Sequence, residues 1–390
     1  MLRMIDQQLG GASGSPQAMN ISSITSVVDL CRALVQIPSE NPSASPGSQG
    51  EESIARFVGG FLEKIGADVE YQEVAPGRFS VYGFWPKPAP DAQRILFAPH
   101  LDTVSVQGMT VDPFAANVEN GRIWGRGSSD TKGTMAAMLW ALQLIDWRKL
   151  NVAVGFAGLA DEESGQIGAK AAAARRFADF VIAGEPTNLD VVYTHKGTAW
   201  IEVATAGKSA HGATPERGIS AIDRMNRALR LLSEQFPKIC PVADHPVLGP
   251  PTLSVGRIQG GTKINVVPDR CVAEVDIRVL PGQDSIFTDI KTFFAREQIP
   301  ATIKIIKSSK PLFTDPEHPM INRLADLGSK RVGASWFCDA ALFADLGTPA
   351  IALGPGSIAQ AHTADEFIEV AELERGAEFF TKFIRSFANG

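Results

Sequence analysis

The sequence has few cysteines, and none of them are paired at metal-binding or disulfide spacing. Its four cysteines, among 390 residues, are far apart and form no CxxC motif, so neither a disulfide scaffold nor a thiolate zinc site is expected. Scattered cysteines are more often small apolar core residues, and four unpaired thiols fit a reducing cytoplasm. They are Cys31, Cys240, Cys271 and Cys338.

Long apolar runs and an excess of positive charge are also missing. No stretch reaches the ~20 apolar residues of a membrane helix, and the N-terminus carries no secretory signal. The net charge of −6 argues against a large nucleic-acid footprint, which needs clustered Lys and Arg. We therefore expect a cytoplasmic protein with neither membrane nor nucleic-acid partners. Residues 1–20 are interpreted as a flexible lead-in, with Met19 as an alternative start.

What the sequence does contain is typical of a globular protein with two domains. Hydrophobic residues make up 44% and charged residues 21%, and the length exceeds what one hydrophobic core usually supports. Apolar runs at 94–104, 151–160, 177–189 and 349–356 each break into polar residues, and helical segments alternate with them. This alternation predicts an α/β domain with a largely parallel sheet.

Several helices have recognisable limits. One is predicted at 25–37, and a second, over 54–66, ends at Gly66 as its C-cap. A third follows the glycine-rich turn at 121–127 and is predicted to be amphipathic. Its apolar face comprises Met135, Met138, Leu139, Leu142 and Ile145.

The pattern changes near residue 197. The segment 198–208 alternates apolar and polar residues, as a half-exposed antiparallel strand does. Further elements are predicted as a helix at 219–234, strands at 252–260 and 271–279, and a helix near 285–297. This βαββαβ-like order predicts a smaller domain at 197–310, inserted into a first domain made of residues 21–196 and 311–390.

Histidines and carboxylates stand where the apolar segments of the first domain end. Ligand sites of α/β sheets lie beyond the carboxyl ends of the strands, so these side chains are expected to converge. They are His100, Asp102, Asp130, Glu162, Glu163, Glu185 and His362.

Each of these residues also has an ordinary structural interpretation. His100 and Asp102 are either a metal ligand with its orienting carboxylate or a loop His beside a loop Asp. Asp130 is a helix N-cap, a carboxylate that bridges two cations, or both. Glu162 and Glu163 either point to opposite sides of an extended chain or form an exposed acidic turn.

Together the residues suit a pair of zinc ions. Glu185 is placed like Glu163, whereas His362 alone would be an ordinary loop histidine. Two histidines and three carboxylates can give each ion one histidine and one carboxylate of its own, with an Asp that bridges both ions. Ligand sets without thiolate are typical of catalytic zinc. Two such ions can share and activate a water, and the remaining Glu can act as general base.

Six motifs, in order, resemble those of a known family. They are HLDTV, GRGSSDTKG, ADEESG, AGEPTNL, GKSAHGATPERG and GPGSIAQAHTADE. From about residue 25 to its end, the chain is similar to the zinc metallopeptidases and deacylases that include acetylornithine deacetylase, succinyl-diaminopimelate desuccinylase, aminoacylase and glutamate carboxypeptidase. The resemblance implies a zinc-exopeptidase-like, three-layer α/β catalytic domain interrupted by a ferredoxin-like α+β lid and dimerisation domain.

The resemblance also implies a role for each candidate residue of the first domain. Asp102 would orient His100, and Glu162 would be the general base. The cofactors would be two Zn²⁺ ions, with Co²⁺ as a substitute. The implied ligands are His100, Asp130 and Glu185 for one ion, and Asp130, Glu163 and His362 for the other.

Three residues of the inserted segment match the family's substrate-contacting positions. His211 would reach into the partner subunit's site and polarise the scissile carbonyl, while Asn265 and Arg278 would hold the substrate's carboxylate. The protein would then be a homodimer that associates through the lid. The strand at 198–206 and the helix at 219–234 are candidate dimer faces.

The implied reaction is hydrolysis of an amide bond in a small N-acyl amino acid. GPGSIAQAH is most similar to acetylornithine deacetylase, so a deacylase of that kind is the first hypothesis. The alternatives are a desuccinylase and a carboxypeptidase or dipeptidase acting on short peptides. A non-catalytic amino-acid or peptide-binding protein is the alternative of another class, but the loss of Glu162 or of a ligand, its expected signature, is not seen.

The sequence departs from the family pattern at two positions. Ser105 stands where Pro is common, and Thr131 stands where Met or Asp often follows the bridging Asp. Neither change removes a ligand, so both bear on substrate preference rather than on metal binding. His195, His245 and His318 match no catalytic position and are interpreted as structural or surface residues.

Overall fold

The computed structural model describes residues 21–87, 89–240 and 245–388, so the predicted lead-in at 1–20 lies outside it. The helices are α1 (Val27–Val35), α2 (Glu52–Lys64), α3 (Lys132–Gln143), α4 (Ile167–Arg175), α5 (Ala221–Ile239), α6 (Ile286–Arg296), α7 (Pro319–Asp326), α8 (Ala340–Asp345) and α9 (Val370–Arg385). The strands are β1 (Asp68–Ala75), β2 (Arg78–Phe84), β3 (Arg94–Pro99), β4 (Val118–Glu119), β5 (Arg122–Trp124), β6 (Ala153–Gly158), β7 (Phe180–Gly184), β8 (Val191–His195), β9 (Gly197–Ala206), β10 (Thr252–Gly260), β11 (Arg270–Val279), β12 (Ala301–Ser309), β13 (Leu312–Phe313), β14 (Arg331–Ala334), β15 (Ala350–Leu353) and β16 (Phe367–Glu369).

A large sheet forms the middle of three layers. Its strand order is β1-β2-β6-β3-β7-β15-β8-β13, and β14 pairs with β8. Successive residues of β3 point to opposite faces, so Ile95 and Phe97 pack with α1, α3 and α9, whereas Leu96 and Ala98 pack on the side of α4 and α8. The predicted three-layer α/β fold is confirmed.

The centre of the large sheet is parallel and its flanks are antiparallel. β3 is parallel to β6 and β7, and β7 is parallel to β15. β1 and β2 pair antiparallel, because a tight turn joins them, and β2 also pairs antiparallel with β6. The expectation of a largely parallel sheet therefore holds for the centre and is wrong for the flanks.

Two of the predicted helix ends are determined by local chemistry. α1 begins after Ser26, whose hydroxyl accepts a hydrogen bond from the Asp29 amide at 3.1 Å. α2 ends just before Gly66, whose φ of +84° suits a residue without a side chain. Both helices lie where the sequence predicted them.

The prediction of a single apolar face on α3 is wrong. Every residue from Lys132 to Leu139 is buried, and Ile145 lies beyond the end of the helix. α3 packs between α1 and α9, close to the large sheet, so it meets protein on nearly all sides. A helix in that position has no polar stripe, and periodicity gives little information about its orientation.

A second sheet of four strands, in the order β10-β11-β9-β12, has its own hydrophobic core. α5 and α6 supply the helices of this core, and the chain order β9-α5-β10-β11-α6-β12 is the predicted βαββαβ. α5 continues to Ile239, beyond its predicted end at 234, because Phe236 and Ile239 extend the buried stripe of the helix.

The two connections between the sheets lie side by side. A Cβ on Gly197 would stand 2.6 Å from the Ser309 carbonyl oxygen and 2.7 Å from the Pro311 nitrogen. Only glycine therefore fits at the start of β9. Lys310 adds an ion pair of 2.6 Å to Asp345.

The strand that the sequence offered as a dimer face is internal to the four-stranded sheet. β9 pairs with β11 on one side and β12 on the other, so its backbone cannot pair with a second subunit. β10 is an edge strand whose residues are almost all exposed, among them Val255 and Ile258. No helix among the described residues has the length and apolar character needed to span a membrane.

Candidate metal-dependent active site

Four neighbouring strands of the large sheet deliver the candidate ligands to one edge. β6, β3, β7 and β15 are adjacent and parallel, so their carboxyl ends meet. The chain leads from them into Glu162 and Glu163, His100, Glu185, and the loop that carries His362. This is the edge where α/β proteins bind their ligands.

Four of the predicted ligands are in direct contact. His100 Nε2 lies 3.1 Å from Asp130 Oδ1, and His362 Nε2 lies 3.3 Å from Asp130 Oδ2. His362 Nε2 is also 3.1 Å from Glu163 Oε2. Ligand atoms of His100, Asp130 and Glu163 all lie within 4.8 Å of one another, close enough to hold a metal ion. Asp130 stands in the middle, with one imidazole at each carboxylate oxygen.

The loop before α3 holds Asp130 for these contacts. The N-cap of α3 is Thr131 rather than Asp130, so the interpretation of Asp130 as a helix N-cap is wrong. The buried carboxylate of Glu366 instead anchors the loop by accepting hydrogen bonds from the amides of Gly127, Ser129 and Asp130, each 2.9 Å long. Glu366 was not among the predicted site residues, although its place in the HTADE motif was a signal.

Asp102 connects His100 to the segment that carries the two glutamates. His100 Nδ1 lies 2.9 Å from the carbonyl oxygen of Asp102 and 3.7 Å from its Oδ1. The carboxylate itself accepts hydrogen bonds from the amides of Glu162, at 3.0 Å, and Glu163, at 3.1 Å. Asp102 therefore orients the histidine mainly through its backbone and holds Glu162 and Glu163 through its side chain.

Asn41 connects Asp102 to a second buried carboxylate. Its Nδ2 donates to Asp102 Oδ2 at 2.7 Å and to Asp161 Oδ1 at 2.9 Å. Asp161 has a φ of +73°, a left-handed conformation that is unusual for a residue with a side chain, and it is held there by Asn41 and Arg78. The chain then turns directly into Glu162. The sequence analysis missed Asn41, because its loop is 61 residues away from Asp102.

Glu162 and Glu163 lie in a turn rather than in an extended segment. The expectation of an extended segment is therefore wrong, and the turn is half-buried rather than exposed. The segment is not extended because β6 already ends at Gly158, and the left-handed conformation of Asp161 then turns the chain. Glu163 contacts His362, whereas the pKa of Glu162 is raised by burial and by the charges of Asp339 and Glu185.

Contacts with carboxylates raise the pKa of both cluster histidines. Burial of His100 opposes its protonation, but its bonds with Asp102 and Asp130 outweigh burial and hold its pKa above the ordinary value. The bonds of His362 to Asp130 and Glu163 raise its pKa to about 10. The carboxylates around both rings thus favour positive charge at this position, which a divalent cation would supply.

The glutamates of the site are poorly stabilised as anions. Burial raises the pKa of Glu162, Glu163 and Glu185, and the charge of Asp130 raises that of Glu185 further. Carboxylates buried this deeply need cations beside them to stay ionised. Imidazole nitrogens and carboxylate oxygens are ligands that zinc accepts, so the residues present fit a divalent metal.

Asp339 is a further carboxylate of the site that the sequence analysis missed. It is 2% exposed, and neither of its oxygens has a hydrogen-bond partner among the described residues. Burial raises its pKa to about 8, and its charge acts on both Glu162 and Glu185. No continuous apolar run precedes Asp339, so the strand-end argument could not find it.

Of the three remaining predicted residues, Arg278 lies in the four-stranded sheet, whereas His211 and Asn265 lie in the loops that follow β9 and β10. His211 and Asn265 are exposed neighbours, because the Gly212 amide donates to the Asn265 carbonyl oxygen at 2.8 Å. Arg278 lies on β11, where its Nε and Nη2 each lie 3.1 Å from Asp276 Oδ2. The structure thus joins His211 to Asn265 and Arg278 to Asp276.

The remaining histidines and the cysteines occupy structural positions, as predicted. His195 is buried, contacts the ring of Phe337, and accepts the Cys338 amide at 3.4 Å. His318 is the N-cap of α7, and His245 accepts loop amides from Val247 and Leu248. All four cysteines are free and buried.

Residues 96–386 match the family model of Peptidase family M20/M25/M40, and the chain belongs to this family. It is 30% identical over 384 residues to an acetylornithine deacetylase of Proteus mirabilis, covering 95% of this chain and 98% of that protein. It is 31% identical over 384 residues to an acetylornithine deacetylase of Photorhabdus laumondii, covering 95% of this chain and 99% of that protein.

Solved structures share the fold. The aminopeptidase PepT of Bacillus cereus has a TM-score of 0.76 at 23% identity, with 96% of this chain and 100% of that chain covered. The M20 family metallo-carboxypeptidase Sso-CP2 of Sulfolobus solfataricus has a TM-score of 0.74 at 20% identity, with 93% and 99% covered. The family and the ligand cluster together define the protein as a metal-dependent amide hydrolase.

Proposed function

We propose that the protein is a dinuclear zinc hydrolase that removes the acyl group from a small N-acyl amino acid. One observation carries the proposal: each oxygen of Asp130 faces its own histidine, His100 on one side and His362 on the other. A carboxylate flanked in this way suits a bridge between two cations. The proposed ligand sets are His100, Asp130 and Glu185 for one ion, and Asp130, Glu163 and His362 for the other.

Glu162 is proposed as the general base. When bound, such a metal pair polarises an amide carbonyl and lowers the pKa of a water. Glu162 would take one proton from that water and pass it to the leaving nitrogen. Burial and the charge of Asp339 raise the pKa of Glu162, as a group that both accepts and returns a proton requires. The carboxylate of Asp102 holds Glu162 in place by accepting a hydrogen bond from the Glu162 backbone amide.

Residues of the four-stranded sheet and of its connecting loops would complete the site. His211 is proposed to donate a hydrogen bond to the oxygen of the scissile carbonyl in the partner subunit's site, with Asn265 and Arg278 at the substrate's carboxylate. The exposure of His211 and Asn265 supports an action outside their own loops. The homodimer would form through this lid, and the exposed edge strand β10 offers an unpaired backbone for the contact.

The choice of an N-acyl amino acid follows from the relatives, which carry the name acetylornithine deacetylase over nearly the whole chain. The test is a screen of N-acetylornithine, an N-succinyl amino acid and a dipeptide, each with added zinc and with added cobalt. We expect the N-acetyl substrate to be hydrolysed fastest and a chelator to abolish the rate.

Preference for the N-succinyl substrate or the dipeptide would replace the proposed substrate class and keep the chemistry. Failure of all three substrates in protein shown by elemental analysis to contain zinc would overturn the hydrolase proposal. A non-catalytic binding protein would then be the remaining function on this fold.

A further inference from the structure

The four-stranded sheet has one face packed on its helices and one open face. Ile201 of β9 belongs to the core, so its neighbour Trp200 points to the open face. Trp200 stands directly opposite Asp276 on β11 and Lys307 on β12. Lys307 Nζ lies 5.4 Å from the centre of the Trp200 ring, so these three side chains share the open face.

Asp276 and Thr198 already engage Arg278 on this face. Both Nε and Nη2 of Arg278 lie 3.1 Å from Asp276 Oδ2, and Nη1 donates to Thr198 Oγ1 at 3.3 Å. The guanidinium N–H groups that would bind a substrate's carboxylate therefore already contact a carboxylate of the same sheet. Arg278 alone does not account for a substrate's negative charge.

Lys307 is the cation of the open face that reaches the active site. Its Nζ donates to the carbonyl oxygen of Ser164 at 3.0 Å, and Ser164 directly follows Glu163. The charge of Glu162 in turn acts on Lys307. The ion pairs of the described residues include Arg278 with Asp276 but none with Lys307. A β-bulge between Ile305 and Lys307 brings the side chain to this position.

The surroundings of Lys307 favour an additional anion. Burial lowers the pKa of Lys307, and the charges of Lys170 and Arg278 lower it further, while the charges of Glu162 and Asp161 raise it without outweighing burial. A cation that lacks a carboxylate partner and lies near other cations is stabilised when a ligand brings a negative charge.

We propose, building on the hydrolase function proposed above, that Lys307 binds a carboxylate of the substrate beside the general base. An ammonium has three N–H donors, and the Ser164 carbonyl takes one of them. The others are available to a carboxylate that lies between the open face and Glu162. In an N-acyl amino acid, the α-carboxylate is attached to the carbon that bears the amide nitrogen. A dicarboxylic acyl group would present the same chemistry from the other side of the amide.

The test compares the acid and the amide of one substrate. The probes are N-acetylornithine, its carboxamide, and N-succinylornithine carboxamide, in which the acyl group carries the sole carboxylate. The zinc-loaded wild type and Lys307→Met are compared by kcat and KM. We expect the substitution to raise KM for the sensitive acid by about 10- to 100-fold, the worth of one charged hydrogen bond, and to leave N-acetylornithine carboxamide unchanged.

The pattern of sensitivity identifies the carboxylate. A loss confined to N-acetylornithine assigns Lys307 to the α-carboxylate, and a loss confined to the N-succinyl carboxamide assigns it to the acyl group. Either result supports the proposal. An equal change for acids and N-acetylornithine carboxamide, or no change for any of them, would overturn it.

Lys304→Met is the matched control, because Lys304 lies on the same strand, is exposed, and pairs with Glu202. It should leave all three substrates unchanged, and Lys307→Arg should keep the acid preference. If the wild type hydrolyses no probe, the hydrolase proposal fails separately. Calorimetric binding of N-acetylornithine and its carboxamide to the zinc-loaded wild type and Lys307→Met then tests Lys307 without turnover.

Discussion

The ligand cluster and the loop that carries His211 are held in opposite ways. His100 and Asp130 are buried and contact each other, and the segments around them are fixed by Asp102 and Glu366. His211 is exposed, and its Nδ1 accepts only a local hydrogen bond from the Ala213 amide, at 3.0 Å. The cluster is thus formed before a substrate arrives, whereas His211 needs something outside its own fold to act on.

The comparison separates two kinds of contribution to catalysis. A buried cluster can stabilise developing charge without rearranging, which is how most active sites gain their rate. Exposed residues contribute only after a substrate or a second subunit covers them. Substitutions in the cluster should therefore alter metal content, stability and rate together, whereas substitutions on the sheet should alter rate or KM alone.

The largest effect is expected for Glu162→Gln. Loss of a general base should lower kcat by about 10²- to 10⁴-fold, while the zinc content stays the same because Glu162 is outside the proposed ligand sets. Glu163→Gln is the matched control: it changes the adjacent carboxylate, which contacts His362, and should lower the zinc content as well. Elemental analysis and kcat, measured on the same samples, check both.

These two adjacent glutamates would exchange their assignments if Glu162→Gln lost zinc and Glu163→Gln kept it. A Glu162→Gln variant with a near-normal rate would remove the general base from the mechanism.

A smaller loss is expected for His211→Ala. Removing a donor to a developing oxyanion typically costs about 10²- to 10³-fold in kcat. Since His211 is exposed, the melting temperature should not change. His245→Ala is the matched control in the same inserted segment, and it should keep the full rate.

Mixing two inactive variants tests whether His211 acts across subunits. A heterodimer of His211→Ala with Glu162→Gln has one site that combines an intact Glu162 with an intact His211 from the other chain. Random exchange of subunits should then restore about a quarter of the wild-type rate, because half of the dimers are mixed and each has one complete site. No recovery after verified exchange would confine His211 to its own subunit or to no catalytic role.

The strand-end argument located the cluster because its physics is local to each strand. Buried parallel strands require continuous apolar runs, and the polar residue after each run marks the shared edge of the sheet. His100 and Glu185 each follow such a run, and β3 and β7 are neighbours in the sheet. The βαββαβ order of the second sheet was also predicted from a local pattern. In its strands, apolar and polar residues alternate, because one face of the sheet is buried and the other is open.

Residues whose partners are distant in sequence could not be predicted in this way. Asn41, Glu366 and Asp339 come from loops or a helix end, and each reaches the site only through the packing of the whole chain. Lys307 depends on a β-bulge, a feature that alternation of polar and apolar residues does not indicate. Resemblance to a family supplies ligands by motif, but it gives no information about the groups that hold them.

The smallest rate effect, with a clear loss of stability, is expected for Asn41→Ala. The substitution would leave Asp102 and Asp161 buried without the amide that binds both, which should lower the free energy of unfolding by about 1–3 kcal/mol. Since the loop carrying Glu162 would be held less firmly, we expect kcat to fall about tenfold while KM stays constant. Asn151→Ala, at an exposed position, is the control and should change neither quantity.

Urea denaturation and steady-state kinetics on the zinc-loaded variants distinguish positioning from bulk stability. If Asn41 only stabilises the fold, kcat at 15 °C should equal that of the wild type, since the variant remains folded there. A reduced kcat at that temperature with unchanged zinc content would instead place Asn41 among the residues that position the general base. We expect the second result, because the carboxylate of Asp102 accepts hydrogen bonds from both the Asn41 Nδ2 and the Glu162 amide and so links Asn41 to Glu162.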